Sequence, residues 1–383
     1  MKRLFCLFLS FLLLSCFSVS ARAEGEFDPS AKAYCLAEID TGKIISSKNA
    51  DVCLPMASTT KIMTALVAIE SGRLDDIVLV TDDDVKVEGS SLSLRSGDVL
   101  TLGNIVRGMM AVSGNDAAHT IARFLGGSDE GFAEMMNDKA KKLGMENTNF
   151  ENPHGLPDEN HYTTAYDMVL LTSAALKNSI FLDIVSSYKT EITYLESVLG
   201  YTSRKLTNTN KLLNLVEGCI GVKTGYTLKS GRCLVSAVRR EGAGVICVVL
   251  NCPNYWEDSK TLLEYGMTKV TYADIITDTV EYELNVVGGS LQTVRVQNTE
   301  YLSGSMLKSD YEAMRINVRL PKFVYAPIKS GDEIGDICVT VNGEIIASIP
   351  IIATQNISRV SFTEGLKDNF KDMLLSNISW MYK

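Results

Sequence analysis

Residues 54–70, LPMASTTKIMTALVAIE, constrain this chain more than any other part of its sequence. Apolar residues recur there at intervals of three and four, which predicts a helix that opens at Ser58 and ends at Ser71-Gly72. Because this helix is almost wholly apolar, a lysine within it needs a reason to be present. Lys61 therefore stands out, three residues after Ser58.

A serine and a lysine three residues apart share one face of a helix. A serine hydroxyl is a weak nucleophile until a base removes its proton, and the amine of Lys61 can reach the hydroxyl of Ser58. The unpaired N–H groups at the start of the helix would favour an oxyanion formed beside them. The competing interpretation is structural, with Ser58 as a helix cap and Lys61 as a lysine whose charged end reaches the surface.

The length and charge of the chain limit the classes of function. With 383 residues the chain is expected to form two domains, and 46% hydrophobic residues suffice for a sizeable core. A formal net charge of −9, without a basic tract after Arg3, argues against a nucleic-acid partner. Neither a metal-ligand spacing nor a phosphate-binding glycine loop is present, so we expect no metal and no cofactor.

The first 23 residues read as a secretory signal peptide. A basic start is followed by the apolar run LFCLFLSFLLL and by Ala21-Arg22-Ala23, a small-x-small cleavage site. The alternative is a lipoprotein signal, LLSC, that would leave a lipidated Cys16. Either reading predicts an exported protein at the outer face of the bacterial cytoplasmic membrane or in the cell wall.

The remaining cysteines do not suggest a disulfide framework. Removal of the signal takes Cys6 and Cys16 from the nine cysteines and leaves an odd, scattered set without a C-x-x-C pair. Several lie in apolar runs such as GVICVVLNC, where they read as small core residues.

The middle of the chain predicts a mostly helical lobe over residues 102–180. A helical pattern over residues 102–126 is interrupted at Ser113-Gly114-Asn115, where Gly114 is expected to break the first helix and Asn115 or Asp116 to cap the next. Further helices are expected at residues 131–143 and 164–177. Residues 73–101, which precede this lobe, read as irregular structure with short strands.

The flanking parts of the chain predict sheets. A hairpin is expected from residues 33–40 and 43–48, and three strand-like runs within residues 221–251 should form an antiparallel meander covered by a helix at residues 256–272. We therefore expect a catalytic domain over residues 24–275 and a separate β-rich domain over residues 276–357.

Residues 358–383 predict an amphipathic terminal helix. Phe362, Leu366 and Phe370 begin an apolar stripe that continues at intervals of three and four to Met381, and charged residues lie between. Such a helix suits a membrane interface, and the alternative is a helix packed on the β-rich domain.

A third motif, Lys223-Thr224-Gly225, begins the meander. Glycine in an active-site strand permits close backbone approach, lysine and threonine can hold a carboxylate, and the following N–H can complete an oxyanion hole. In order, S-x-x-K at Ser58, S-x-N at Ser113 and K-T-G at residue 223 match the signature of penicillin-recognising serine enzymes.

The chain resembles the low-molecular-mass penicillin-binding proteins that act as D-alanyl-D-alanine carboxypeptidases. The resemblance rests on LPMASTTKIMTAL, VSGNDAA, NPHGL and GVKTGYT and extends over essentially the whole chain. It implies an α/β (α+β) fold of the serine β-lactamase and transpeptidase type. In that fold helices flank an antiparallel five-stranded sheet, a helical lobe is inserted, and the active site lies in the cleft between them.

The resemblance also implies roles for residues at matching positions. Ser58 would be the acylated nucleophile and Lys61 its general base, while Ser113 passes the proton to the leaving D-alanine. Asn115 would hold the substrate amide, and His154 would border the cleft without a catalytic role.

The K-T-G strand would bind the end of the substrate. Lys223 and Thr224 would hold its terminal carboxylate, and the N–H groups of Ser58 and Tyr226 would form the oxyanion hole beside Gly225. An arginine that assists in some relatives has no clear counterpart near residues 254–257, and Arg232 is the candidate substitute.

These expectations describe a membrane-tethered serine D,D-carboxypeptidase. It would remove the terminal D-alanine from peptidoglycan stem pentapeptides and would be acylated by β-lactams at Ser58. The alternatives are a D,D-endopeptidase, a β-lactamase, and a penicillin-binding sensor or scaffold without turnover. The S-G-N form of the middle motif argues against the lactamase, as does the lack of an obvious Glu-x-x-x-Asn element near His154.

Overall fold

The computed structural model describes residues 28–196 and 200–360. Its helices are α1 (Lys61–Glu70), α2 (Leu102–Val112), α3 (Asn115–Gly126), α4 (Asp129–Lys142), α5 (Ala165–Leu176), α6 (Ser179–Ser186), α7 (Leu212–Leu215), α8 (Tyr255–Met267) and α9 (Lys308–Ala313). Its strands are β1 (Ala33–Glu38), β2 (Ile44–Lys48), β3 (Ile77–Leu79), β4 (Val99–Thr101), β5 (Lys189–Glu196), β6 (Gly200–Thr207), β7 (Cys219–Thr227), β8 (Gly231–Arg240), β9 (Ala243–Leu250), β10 (Val270–Ile276), β11 (Glu281–Val287), β12 (Thr293–Asn298), β13 (Leu302–Leu307), β14 (Met314–Arg319), β15 (Phe323–Tyr325), β16 (Glu333–Val341) and β17 (Glu344–Ala353).

A five-stranded antiparallel sheet forms the centre of the catalytic domain, in the order β2-β1-β9-β8-β7. Strands β1 and β9 are buried along their whole length because α5 packs on one face of them and α8 covers the other. Burial on both faces explains why these strands read as continuous apolar runs without polar alternation. The expected five-stranded antiparallel sheet is confirmed, and β7, which carries the K-T-G motif, is its edge strand.

The helix that covers the outer face of this sheet is shorter than expected. Helix α8 ends at Met267, so the expectation of a helix up to residue 272 was wrong. Residues 270–276 form β10, which pairs with β13 and so continues across the boundary expected at residue 275. The apolar residues of this segment lie on the buried side of β10. In so short a segment, their spacing alone does not distinguish a half-buried strand from the end of a helix.

Between β2 and β7 the chain inserts helices α1 to α7 and a four-stranded sheet in the order β3-β4-β5-β6, and α5 packs back on the central sheet. Short strands were expected before residue 102, but the β5–β6 hairpin was missed. Its inner face is held by a few buried side chains, Ile192, Tyr194 and Leu206. Most residues of β6 are polar, so its sequence lacks the apolar run or alternation from which a strand is predicted.

The β-rich domain is a six-stranded sheet in the order β14-β16-β17-β12-β11-β15. Its core is formed by Val294, Val296, Ile337, Val339, Ile349 and Ile351. A two-residue turn at Asn342-Gly343 joins β16 to β17, and both residues have the positive φ that such a tight hairpin requires. Residues 358–360, which follow the expected boundary at residue 357, also pair with this domain. The carbonyl of Ser358 accepts the N–H of Ser290, and Val360 donates its N–H to the carbonyl of Gly288.

The signal peptide expected at residues 1–23 lies outside the described residues. The terminal helix expected at residues 358–383 also lies outside them except for residues 358–360, which pair with the β-rich domain instead. In the described part of the chain, no single helix is both long and apolar enough to cross a membrane, whereas α5 and α6 together meet that test with a bend of 107° between them.

Candidate active site

Ser58 lies in a single 3₁₀ turn, Ala57–Thr60, immediately before α1. The α-helix itself begins at Lys61, so Ser58 stands one turn earlier than a regular helix start. The hydroxyl of Thr59 donates to the carbonyl of Met56 at 2.7 Å, and that of Thr60 donates to the carbonyl of Ala57 at 2.8 Å. These bonds hold the turn, in which Ser58 is partly exposed while Thr59 and Thr60 are buried.

His161 holds the same turn from outside. Its Nδ1 accepts the N–H of Glu151 at 3.0 Å, and its Nε2 lies 2.8 Å from the hydroxyl of Thr60. Burial lowers the pKa of His161 to about 4, so the ring is neutral and Nε2 carries the proton donated to Thr60. Nothing in the local sequence had assigned His161 or Thr60 a role.

Two glycines allow other segments to approach this turn. A Cβ placed on Gly155 would lie 1.9 Å from the carbonyl oxygen of Ala57, and the φ of Gly155 is +88°. A Cβ on Gly225 would lie 3.0 Å from the backbone nitrogen of Ser58. The NPHGL segment and the K-T-G strand therefore both touch the Ser58 turn, and each needs a residue without a side chain at that contact.

The amine of Lys61 is fully buried and makes three polar contacts. Its Nζ lies 3.0 Å from Oγ of Ser58, 2.7 Å from Oδ1 of Asn115 and 2.8 Å from the carbonyl oxygen of His154. An amide oxygen and a backbone carbonyl can only accept hydrogen bonds. A neutral amine that donates its two N–H groups to these two atoms has its lone pair directed at Ser58.

The environment of Lys61 favours this neutral form. Burial lowers its pKa well below the ordinary value, and the charge of Lys223 lowers it further, while Asp116 opposes both effects.

Asn115 and Asp116 do not cap α3, contrary to expectation. The cap position is Gly114, without a side-chain bond. The amide of Asn115 instead binds Lys61 and donates to the carbonyl of Glu88 at 2.6 Å. The carboxylate of Asp116 accepts hydrogen bonds from residues 91–94. Both side chains form their hydrogen bonds with segments distant in the sequence. Local preferences for helix caps contain no information about such partners.

Ser113 occupies the corner between α2 and α3. It is the residue with left-handed backbone geometry, φ 64°, whereas Gly114 has φ −61°. The sequence predicted the break but assigned it to Gly114. Glycine is needed at position 114 for a different reason, since a Cβ there would lie 2.7 Å from the backbone nitrogen of Leu92.

Thr209 links this corner to the K-T-G strand and was missed by the sequence analysis. Its N–H donates to the carbonyl of Ala111 at 3.0 Å, two residues before Ser113. Its hydroxyl lies 3.1 Å from the hydroxyl of Thr224. Thr224 is therefore held beside the end of α2.

Lys223 is the second buried lysine of the site. Burial lowers its pKa to about 7, and its Nζ donates to the carbonyl of Thr224 at 3.1 Å. As no acidic partner contributes to this shift, an anion bound beside Lys223 would favour the charged amine.

Tyr226 presents its backbone N–H at the open edge of the sheet. The carbonyl of Arg232, the residue paired with Tyr226, accepts the N–H of Cys252 on the β9 side. Polar groups alternate sides along an antiparallel strand, so this pair is not hydrogen-bonded and the N–H of Tyr226 faces away from β8. It emerges next to Gly225 and hence beside Ser58.

Arg232 lies between two aromatic rings. Its guanidinium stands 5.6 Å from the ring centroid of Tyr226 and 5.2 Å from that of Tyr255, and it donates to the Tyr255 hydroxyl at 3.3 Å. It lines an open cleft of about 640 Å³ together with Lys211 and Trp256. The side chain is thus held at the end of the K-T-G strand.

His154 contributes more than the border position expected of it, because its carbonyl binds Lys61. Its Nε2 lies 3.6 Å from the carboxylate of Asp129, which also contacts His119. Within residues 28–196 and 200–360, no three His, Cys, Asp or Glu side chains are placed to hold a metal ion.

Comparisons with known proteins place the chain in a family. A family model described as D-alanyl-D-alanine carboxypeptidase matches residues 19–254, and one described as the C-terminal domain of penicillin-binding protein 5 matches residues 273–359. The D-alanyl-D-alanine carboxypeptidase DacF of Bacillus subtilis is 31% identical over 97% of this chain and 99% of its own length.

Two solved structures extend the comparison. Penicillin-binding protein 5 from Haemophilus influenzae is 26% identical with a TM-score of 0.68, over 87% of this chain and 99% of its own. A mutant of the Streptomyces K15 DD-transpeptidase is 30% identical with a TM-score of 0.61, over 63% of this chain and 100% of its own.

Proposed function

This chain belongs to the D-alanyl-D-alanine carboxypeptidase family, and from that membership we propose the residues by which it removes the terminal D-alanine of peptidoglycan stem pentapeptides. It is a serine-type carboxypeptidase. The contact of the Lys61 amine with Ser58 carries the proposal, because two acceptor-only oxygen atoms account for both N–H groups of the neutral amine.

Acylation begins at Ser58. Its Oγ attacks the carbonyl carbon of the penultimate D-alanine while its proton passes to Nζ of Lys61. The carbonyl oxygen becomes an oxyanion, which accepts hydrogen bonds from the backbone N–H groups of Ser58 and Tyr226. The orientation of β7 supports this assignment, since Gly225 brings the open edge of the strand against the nitrogen of Ser58.

The tetrahedral intermediate collapses when the carbon–nitrogen bond to the terminal D-alanine breaks. Ser113 passes a proton to the leaving amine and is resupplied by the protonated Lys61. Water then attacks the Ser58 ester while Lys61 accepts a proton from it, and Lys61 returns this proton to Oγ of Ser58 as the acyl–oxygen bond breaks. A β-lactam acylates the same oxygen, but its leaving nitrogen stays tethered to the acyl group.

The free carboxylate of the substrate is held by Lys223 and Thr224, and Asn115 holds the substrate amide. Arg232 supplies the additional positive charge from its position between Tyr226 and Tyr255. Arginine suits this function because its planar fork binds a carboxylate through two hydrogen bonds and stacks on aromatic rings.

Two substrates test the proposal. The protein is incubated with diacetyl-Lys-D-Ala-D-Ala and, separately, with labelled penicillin, and D-alanine release and the mass of the protein are followed. We expect D-alanine release, a stable penicilloyl adduct on the wild type, and neither in Ser58→Ala. An adduct without peptide turnover identifies a sensor, and rapid penicillin turnover identifies a β-lactamase. Cleavage only of a cross-linked peptide dimer, added as a further substrate, identifies an endopeptidase.

We further propose that the protein is exported and bound to the membrane surface through residues 361–383. Deletion of these residues, with the chain ending after Val360 so that its bond to Gly288 is kept, should release the protein from membranes and leave peptide turnover intact. Flotation with vesicles and D-alanine release measure the two effects.

A point variant of the full chain controls for the deletion. Phe362→Glu with Phe370→Glu removes two apolar residues of the terminal stripe and should also release the protein. Turnover that falls together with membrane binding would mean that the segment packs on the protein.

A further inference from the structure

We propose that Asp129 is a positioning residue that holds, through His119 and His154, both oxygen atoms that bind the amine of Lys61. The inference rests on the proposed function of Lys61 as the base. It concerns a group outside the three motifs, on a helix that contributes no atom to the reaction.

The first arm runs from Asp129 to Asn115. Asp129 lies in the first turn of α4, after the cap residue Ser128, and its Oδ1 lies 2.7 Å from Nδ1 of His119. His119 follows Asn115 by four residues on α3, so the two side chains lie on the same face, one turn apart. Holding His119 therefore fixes the first turn of α3, which presents Oδ1 of Asn115 to Lys61.

The second arm runs from Asp129 to the carbonyl of His154. Nδ1 of His154 accepts the N–H of Leu156 at 3.2 Å, which leaves the ring proton on Nε2, facing Asp129. The 3.6 Å between Nε2 and the carboxylate exceeds a normal hydrogen bond, so this arm acts by electrostatic attraction. It orients the residue whose carbonyl binds Lys61 at 2.8 Å.

The charges of Asp129, His119 and His154 suit a positioning role for Asp129. Burial by itself would raise the pKa of Asp129, but interactions with His119 and His154 lower it to about 2, so the carboxylate is ionised at neutral pH. Burial lowers the pKa of His154, which keeps its ring neutral with one N–H. The hydrogen bond to Asp129 raises the pKa of His119.

Asp129 affects the reaction through the direction of the lone pair on the Lys61 amine. The neutral amine of Lys61 points its lone pair at Ser58 only while both N–H groups are occupied by Asn115 and His154. These two acceptors lie on separate elements, α3 and the loop of residues 152–156, and Asp129 contacts a side chain on each. Small displacements of reacting groups are expensive, since a misplacement of about 1 Å can reduce a rate on the order of 100-fold.

Asp129→Asn tests the inference, with Asp138→Asn as its matched control. Both replace a carboxylate of α4 by an amide, but Asp138 is exposed and pairs with Lys141. We expect the acylation rate constant with penicillin to fall roughly 10- to 100-fold in Asp129→Asn and to stay within about twofold in Asp138→Asn. Intact-protein mass spectrometry at fixed times measures the rate constant.

The pH profile separates positioning from lost stability. Acylation should speed up as pH rises through the pKa of Lys61, because only the neutral amine accepts the Ser58 proton. When Asn115 and the carbonyl of His154 are held less firmly, water reaches the Lys61 amine and its pKa rises, so this increase in rate (the basic limb of the profile) moves to higher pH. A variant that is merely less folded loses amplitude at all pH values and keeps the midpoint. The other ionisable groups that face Lys61, namely Lys223, Asp116, His154 and His161, are unchanged in both variants.

His119→Gln provides a second measurement if Asp129→Asn does not fold. It interrupts one arm, so we expect a smaller loss of rate and a smaller shift of the limb in the same direction. Wild-type rate and midpoint in a folded Asp129 or His119 variant overturn the inference. Absence of a penicilloyl adduct on the wild-type protein instead overturns the proposed function.

Discussion

Lys61→Arg is expected to slow acylation of Ser58 on the order of 10²–10⁴-fold, the usual contribution of a general base. Arginine keeps the positive charge and most of the bulk, but its pKa is too high for deprotonation in a protein. It therefore cannot accept the Ser58 proton. A lysine with an ordinary pKa of about 10.4 would be almost wholly protonated at neutral pH.

The pH dependence follows from the direction of the shift. Burial, reinforced by Lys223, lowers the pKa of Lys61, so the neutral, reactive amine becomes more abundant as pH rises through that lowered pKa. Acylation of the wild type by penicillin should rise along this basic limb and then level off. The arginine variant should show no such limb.

A conservative substitution elsewhere provides the control. Lys86→Arg makes the same chemical change at an exposed residue that pairs with Asp83, and it should leave acylation unchanged. Circular dichroism and thermal unfolding establish that Lys61→Arg is folded. If the folded arginine variant acylates within about tenfold of the wild type, Lys61 is structural and the proposed mechanism is wrong.

Lys223→Ala is expected to reduce turnover of peptides with a free terminal carboxylate far more than turnover of amidated peptides. Loss of one partner from a desolvated charge pair typically costs about 2–5 kcal/mol, which corresponds to roughly 30- to 4,000-fold in kcat/KM. Lys223 is fully buried and lies where a bound carboxylate would supply its missing counter-charge.

The ratio of the two substrates isolates this contribution. Lys223 also lowers the pKa of Lys61, so its removal should move the basic limb upward for both peptides alike. Dividing the loss on the free peptide by the loss on the amidated peptide cancels that shared effect. Lys322→Ala, at an exposed lysine of the β-rich domain, serves as the control, and equal losses on both peptides would exclude carboxylate binding by Lys223.

The motifs predicted the reaction class, and the resemblance that they carry predicted the main architecture. A lysine three residues after a serine in an apolar helix has few structural explanations, and the S-x-N and K-T-G motifs supplied partners of the right chemistry in the right order. Long apolar runs likewise predicted the buried strands β8 and β9, since continuous hydrophobicity over a strand length indicates burial on both faces. These signals are local, so the sequence carries them directly.

Several side chains that complete the site could be identified only in the folded protein. Asn115 was predicted as a substrate contact and as one of two possible helix caps, but its bond to Lys61, which is 54 residues away in sequence, was not predicted. Thr209, His161 and Asp129 carry no local signal, because each acts through a hydrogen bond or ion pair to another element.

The physical reason is the range of the interactions. Helix and strand preferences depend on neighbours within a few residues and can be read along the chain. The direction of the Lys61 lone pair depends on two oxygen atoms brought together by the packing of α3 and the loop of residues 152–156 around α1. Gly155 shows the same limit, since its lack of a side chain matters only where the folded chain places it against the carbonyl of Ala57.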